Sequence, residues 1–252
     1  MAGRFAMSVQ ALVRLLSVAV PVVMIGLACW SPLLAAPQSS SESTGPVIVG
    51  RVLYRGPVPA PIQIEVNRDP DVCGRTMSMT TLSVDAATHG LRNAIVHVDM
   101  DEAAVPAAGS AETLVVVRNK QCRFHPHVAA GQVGNGMETI NDDPLMHNTN
   151  ITLNSGTVLN VAMVAGGPTI KKSVKRPGLY LLKCNVHKFM QAYRMVFNDP
   201  YFDQTTEAGQ YAITSASPGL HRITVWHETL GLLEKEVLVP VRGTVIVDLE
   251  YK

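Results

Sequence analysis

The sequence predicts an all-β protein of two β-sandwiches, on three observations. Short runs rich in Val, Ile, Thr and Tyr recur along the chain, broken by Gly, Pro, Asn and Asp, which is the pattern of strands and turns. Past the first 36 residues no stretch carries a sustained 3.6-residue apolar period, so no long amphipathic helix is expected. The runs also fall into three blocks, at 46–87, 88–199 and 200–252. The outer two share a style of strand and turn and are expected to complete one sandwich around a central one. Extensions of a single enlarged barrel are the alternative.

Residues 1–36 read as a targeting segment. Arg4 and Arg14 precede or enter an apolar run at 15–27, and Leu34-Ala35-Ala36 offers a small-residue cleavage site before Pro37. The apolar run is long for a cleaved signal, so a membrane anchor is the alternative. Cys29 follows Gly26-Leu27-Ala28, a poor fit to a lipoprotein cleavage box. The remainder is expected to be exported, to the periplasm or the extracytoplasmic face of the membrane. Residues 37–45 are Ser-rich and read as a flexible tether. The leader holds two of the 21 basic residues and none of the 20 acidic ones, leaving 19 against 20. No global basic field remains, which argues against nucleic acid as a partner.

Ordered structure is expected from an alternating strand at 47–54, a turn at Gly56-Pro57-Val58-Pro59, and a second strand at 62–66. The central block adds strands at 94–100, 113–117, 137–140, 151–153, 158–163, 179–182 and 193–197, with a loop at 101–112. Lys171, Lys172, Lys175 and Arg176 form a local basic cluster before the 179–182 strand. It is read as solvated surface, or more sharply as a docking patch for an acidic redox partner. The last block starts again with Gly209-Gln210-Tyr211-Ala212-Ile213, turns at Ser217-Pro218-Gly219, and continues with strands at 222–228, 236–239 and 244–249. Within it Trp226-His227-Glu228 reads as packing plus a buried hydrogen bond.

The chemistry concentrates at Cys184-Asn185-Val186-His187-Lys188-Phe189-Met190, a tight connection between two strand-like runs. A thiol, an imidazole and a thioether on one such loop are the ligand types of mononuclear copper electron-transfer sites. A second imidazole is needed from elsewhere. His147, expected on a loop and followed by Asn148, is the candidate.

On these residues the stretch from about 112 to 198 resembles a cupredoxin, a Greek-key β-sandwich of the amicyanin- or plastocyanin-like kind. The Cys-x2-His-x2-Met spacing is similar to the family's short ligand loop. The resemblance implies one mononuclear type 1 copper held by His147, Cys184, His187 and, axially, Met190. It implies that Asn148 hydrogen-bonds near the thiolate, and that electrons leave through an exposed edge of His187, with Lys188 and Phe189 near the surface. The flanks more weakly resemble a transthyretin-like or carboxypeptidase-regulatory-like sandwich.

With Cys184 given to the metal, Cys73 and Cys122 are left as a disulfide pair, which suits an exported protein. A second metal site at Cys122, His125 and His127 is the rival. The repeated His-x-His pairs of a trinuclear copper cluster, the second Cys of a binuclear copper loop, a protease nucleophile signature and a phosphate-binding Gly-rich loop are all lacking. No catalysis is expected. The expected function is single-electron transfer with a redox partner protein. Copper delivery or storage in the envelope is the alternative, as is a non-metal binding module with a vestigial site.

Overall fold

The computed structural model describes residues 45–100 and 114–252. The leader at 1–36, all but the last residue of the tether at 37–45 and the loop expected at 101–112 lie outside the described residues. The described protein is all-β, and no helix among the described residues is long and apolar enough to cross a membrane.

The chain opens with β1 (Val47–Tyr54). β2 (Ile62–Glu65) and β3 (Thr76–Met79) then pair as an antiparallel hairpin, whose connection carries a four-residue helix, α1 (Pro70–Cys73). Pro70 starts α1 where no helical N–H is required, and Gly74, at φ 84°, ends it. β4 (Ile95–Asp99) follows.

The central run is β5 (Leu114–Lys120), β6 (Arg123–His125), β7 (Val128–Gln132), β8 (Gly136–Asn141), β9 (His147–Leu153), β10 (Gly156–Met163), β11 (Ile170–Ser173), β12 (Gly178–Lys183) and β13 (Gln191–Phe197). These form a five-stranded sheet, β10-β9-β12-β13-β7, and a four-stranded sheet, β11-β8-β5-β6. Strict alternation builds the core between them. His147, Thr149, Ile151 and Leu153 of β9 are buried while their neighbours are half-buried. Ile151 and Leu182 meet Val117, Phe124 and Met137 from the other sheet. Each such aliphatic side chain removed from water contributes about 1.5–3 kcal/mol.

The last run is β14 (Phe202–Gln204), β15 (Gln210–Thr214), β16 (Gly219–His227), β17 (Gly231–Val239), β18 (Thr244–Ile246) and β19 (Leu249–Tyr251). One sheet is ordered β15-β1-β18, with β19 also paired to β1; the other is ordered β14-β4-β16-β17. They share a second core that contains Ile48, Val52, Val96, Val98, Ile213, Ile223, Val225 and Leu249.

Strand pairing redraws the expected block boundaries at two places. β4, placed by sequence in the central block 88–199, pairs with β14 and β16 instead, because Val96 and Val98 find their apolar partners in Ile223 and Val225. The β2–β3 hairpin, placed by sequence with the outer strands, sends Val66 and Met77 into the central core beside Cys184. That hairpin therefore covers the central half.

Close backbone crossings lock β1 to its neighbours. Val52 donates to the Gly209 carbonyl at 2.8 Å and accepts from Leu91 at 2.8 Å. A Cβ added at Gly90 would stand 2.2 Å from the Ala208 carbonyl, which is backbone and cannot swing away. Gly90→Ala is accordingly expected to cost about 1–3 kcal/mol of stability, read from the urea midpoint.

The two halves meet through β13 and β7. Tyr193 packs on Trp226 with ring centroids 5.4 Å apart, His127 hydrogen-bonds Glu228 at 2.6 Å, and Phe197 stacks on both His97 and Phe202. His227, beside this seam, is buried and accepts the Thr229 N–H at Nδ1. Burial pushes its pKa below 6.5, aided by the nearby His127 and opposed by Glu228. The unfolded chain therefore binds this proton more readily than the folded one, and the stability it contributes is lost as pH falls below 6.5. His227→Gln is expected to make the urea midpoint fall less steeply over that acid range.

Candidate metal centre

The ligand loop fills residues 184–190 between β12 and β13, and the backbone closes it twice. Cys184 N–H donates to the Met190 carbonyl at 3.2 Å, and Met190 N–H donates to the His187 carbonyl at 2.9 Å. β9 lies antiparallel beside β12 with Asn150 opposite Lys183. Continuing that register three residues sets His147 opposite position 186, next to His187. Adjacent strands of one sheet thus bring a histidine to a loop that lies 37 residues further along. Asn148 fastens the two: its Oδ1 accepts the Asn185 N–H at 3.3 Å, while its amide donates to Asn160 Oδ1 and to the Val161 carbonyl.

One ligand atom each from His147, Cys184 and His187 lies within 4.8 Å of the other two, and all three residues are buried. The Cys184 Sγ accepts two backbone N–H groups, from Asn148 and from His187, each at 3.3 Å. It lies 3.9 Å from the His187 Nδ1, and the imidazole centroids are 4.8 Å apart. Met190 is 1% exposed and sits in the same core cluster as Cys184.

Both imidazoles are held from behind by aspartates. His147 Nε2 meets Asp143 Oδ2 at 2.8 Å, and His187 Nε2 meets Asp69 Oδ2 at 3.0 Å. The remaining ring nitrogen of His147, Nδ1, is buried with no hydrogen-bond partner. Burial pushes the His147 pKa below 6.5; the Asp143 hydrogen bond opposes the shift and His187 adds to it. The direction of the shift favours the neutral ring that a metal ligand requires.

These residues fit a metal. A buried, unpartnered imidazole nitrogen costs free energy unless something accepts its lone pair. Two donors bound to one ion at about 2.0–2.3 Å stand roughly 3.6 Å apart, close to the Sγ–Nδ1 separation here. Carboxylates on the outer nitrogens of ligating histidines are the usual second layer of such sites, where they fix ring orientation.

The structure places several expected features differently. His147 is the first residue of β9 rather than part of a loop, because its side chain continues the inward alternation of that strand. His187 is 1% exposed, not surface-edged, because the segment before α1 lies over it; Lys188 is exposed and Phe189 half-buried. Of the two readings given for Cys122, the structure has the disulfide and not the second metal site: Cys122 is joined to Cys73 with Cα atoms 5.4 Å apart. His125 is exposed and His127 is engaged with Glu228 and the Gln191 carbonyl, so Cys122, His125 and His127 form no ligand group. Lys175 and Arg176 precede β12, whose far end leads into Cys184. Six strand residues put about 20 Å between that part of the basic cluster and the ligand loop. Asp69 and Asp143, which contact the two histidines, were passed over in the sequence. Asp143 had a signal in its position four residues before His147; Asp69, 118 residues from His187, had none.

No family model and no curated protein matches the chain. Solved structures do, over part of its length. An amicyanin variant in its reduced state is 20% identical over 36% of this chain and 88% of its own, with a TM-score of 0.31. Amicyanin from Paracoccus versutus is 18% identical over 40% and 96%, with a TM-score of 0.31. A Cu-containing nitrite reductase from Thermus scotoductus is 22% identical over 40% of this chain but only 27% of that one, with a TM-score of 0.30. Identities and scores this low mark a likeness only; the reading of the site rests on its own donor atoms.

Proposed function

We propose that this is an exported protein that holds one mononuclear type 1 copper and carries single electrons. One observation carries the reading: a buried thiol and two buried imidazoles converge, with each Nε2 held by an aspartate and the His147 Nδ1 left open. Bound copper would supply a one-electron couple, which suits a ligand set of one soft thiolate, two imidazoles and a weak thioether. His147, Cys184 and His187 would hold the ion, and Met190 would complete the site weakly. The two N–H groups on Sγ would spread the thiolate charge and tune the potential. Paired strands on both sides of the loop limit how far the ligands can shift between oxidation states.

An electron would leave from His187 through its hydrogen bond to Asp69, whose side chain is 41% exposed. A redox partner would dock there, facing Arg68, Asp69 and Lys188, rather than at the remote Lys175 and Arg176. Cys184 is 2% exposed, which suits a metal-held thiolate better than a thiol nucleophile. One observation favours a second reading, copper storage or delivery: the cover over His187 suits slow exchange. Loading the purified protein with Cu(II) tests the proposal. One copper per chain, an intense visible thiolate band and reversible one-electron reduction are expected. A colourless protein that takes up zinc and excludes copper would end it, and intact copper passing to an acceptor protein faster than electrons do would favour delivery.

A further inference from the structure

The aspartates behind the two histidines come from segments far apart in sequence that are covalently joined. Asp69 immediately precedes α1, and its carbonyl accepts the N–H of Val72 and of Cys73, the last residue of that helix. Asp143 accepts the N–H groups of Gln121 and Cys122 at 2.7 and 2.8 Å. The Cys73–Cys122 bridge closes the path between them. One continuous structure thus runs from the outer nitrogen of His187, through Asp69, α1, the disulfide, the 121–122 turn and Asp143, to the outer nitrogen of His147.

Asp69 itself is unusual. It stands at the N-cap of α1, where an Asp side chain ordinarily accepts a helical N–H, yet it makes no capping bond. Its backbone is left-handed, at φ 52° and ψ 46°, a conformation that costs a non-glycine residue free energy. Both local preferences are overridden, and the carboxylate is delivered to His187 instead.

We propose that Asp69, Asp143 and the Cys73–Cys122 bridge form one positioning frame, which turns both Nδ1 atoms toward Cys184 and makes Asp69 the gate over the ligand set. The proposal rests on the metal reading above. Asp69 fixes the imidazole orientation and closes the approach to His187 and Cys184; the disulfide keeps α1, and with it Asp69, from drifting off.

The test uses the full-length protein with Asp69→Ala, Asp69→Asn and, as a neighbouring exposed control, Asp71→Ala. The first readout needs no metal: the rate at which iodoacetamide alkylates Cys184, which is the free thiol among the described cysteines. Asp69→Ala is expected to raise that rate about tenfold or more under strongly native conditions, beyond what any fall in its urea midpoint accounts for, while Asp71→Ala behaves as wild type. The second readout is Co(II) affinity and the thiolate-to-cobalt band. Asp69→Ala is expected to lose about 10–100-fold in affinity. Asp69→Asn, which tolerates the same backbone and keeps an oxygen acceptor, is expected to recover most of it with a shifted band. Wild-type protection of Cys184 together with wild-type Co(II) affinity in Asp69→Ala would overturn the frame. Deprotection of Cys184 in a protein whose wild type binds no Co(II) or copper would uphold the gate and sink the metal reading alone.

Discussion

Cys184→Ser is expected to abolish the visible band of the copper-loaded protein and to reduce copper affinity far beyond the roughly 10–100-fold lost with an outer hydrogen-bond partner. The Cys184 sulfur is the one donor in the cluster able to carry a negative charge, and it accepts two backbone N–H groups. A serine hydroxyl can accept the same hydrogen bonds, so the fold is retained. It stays protonated near neutral pH, however, and offers no thiolate to the metal. Absorbance and metal content on the same sample check this. Met190→Gln serves as the contrast: an axial ligand contributes weakly, so the band persists with a shift. Colour that survives in Cys184→Ser would mean that the metal sits elsewhere.

The double variant Cys73→Ser/Cys122→Ser is expected to lose about 4 kcal/mol of stability. The bridge joins residues 49 apart in sequence, and closing a loop of that size removes that much unfolded-chain entropy in the simplest model. Urea unfolding of the oxidised wild type against the double variant measures it. The loss should exceed that of any surface change, because Cys122 is fully buried and Met77 and Val66 pack in the same core. A change below about 1 kcal/mol would mean that the hairpin holds its place by packing alone.

What could be read from sequence was what neighbouring residues encode. The alternation at 47–54 defines β1 to its last residue, and the spacing of Cys184, His187 and Met190 on one loop marks the donors. Pairing partners were less legible. Val96 and Val98 would suit any half-buried sheet, and nothing nearby states that Ile223 and Val225 lie opposite. The hairpin at β2–β3 was half-missed because Thr76-Met77-Ser78-Met79 lacks the β-branched density of a strong strand signal, and because its apolar face closes over another half of the molecule. Asp69 was invisible for a related reason: Asp before Pro reads as a turn, and its value comes from a histidine brought to it by the tertiary fold.

The discontinuous build of the outer half has a consequence for the order in which the protein can be made. Arg51 of β1 waits for Gln210, 159 residues later, and β1 also pairs with β18 and β19 near the end of the chain. Synthesis runs from the N-terminus, so every strand of the ligand-bearing half up to Phe197 is available before the outer half can close. During that interval β1 and β4 are unpaired edges carrying Val52, Val96 and Val98, side chains that end fully buried. A chain released near residue 200 would therefore carry every residue of its donor cluster while still presenting two adhesive strands. The step most exposed to misassembly is the arrival of β14 to β19, not the gathering of the donor cluster.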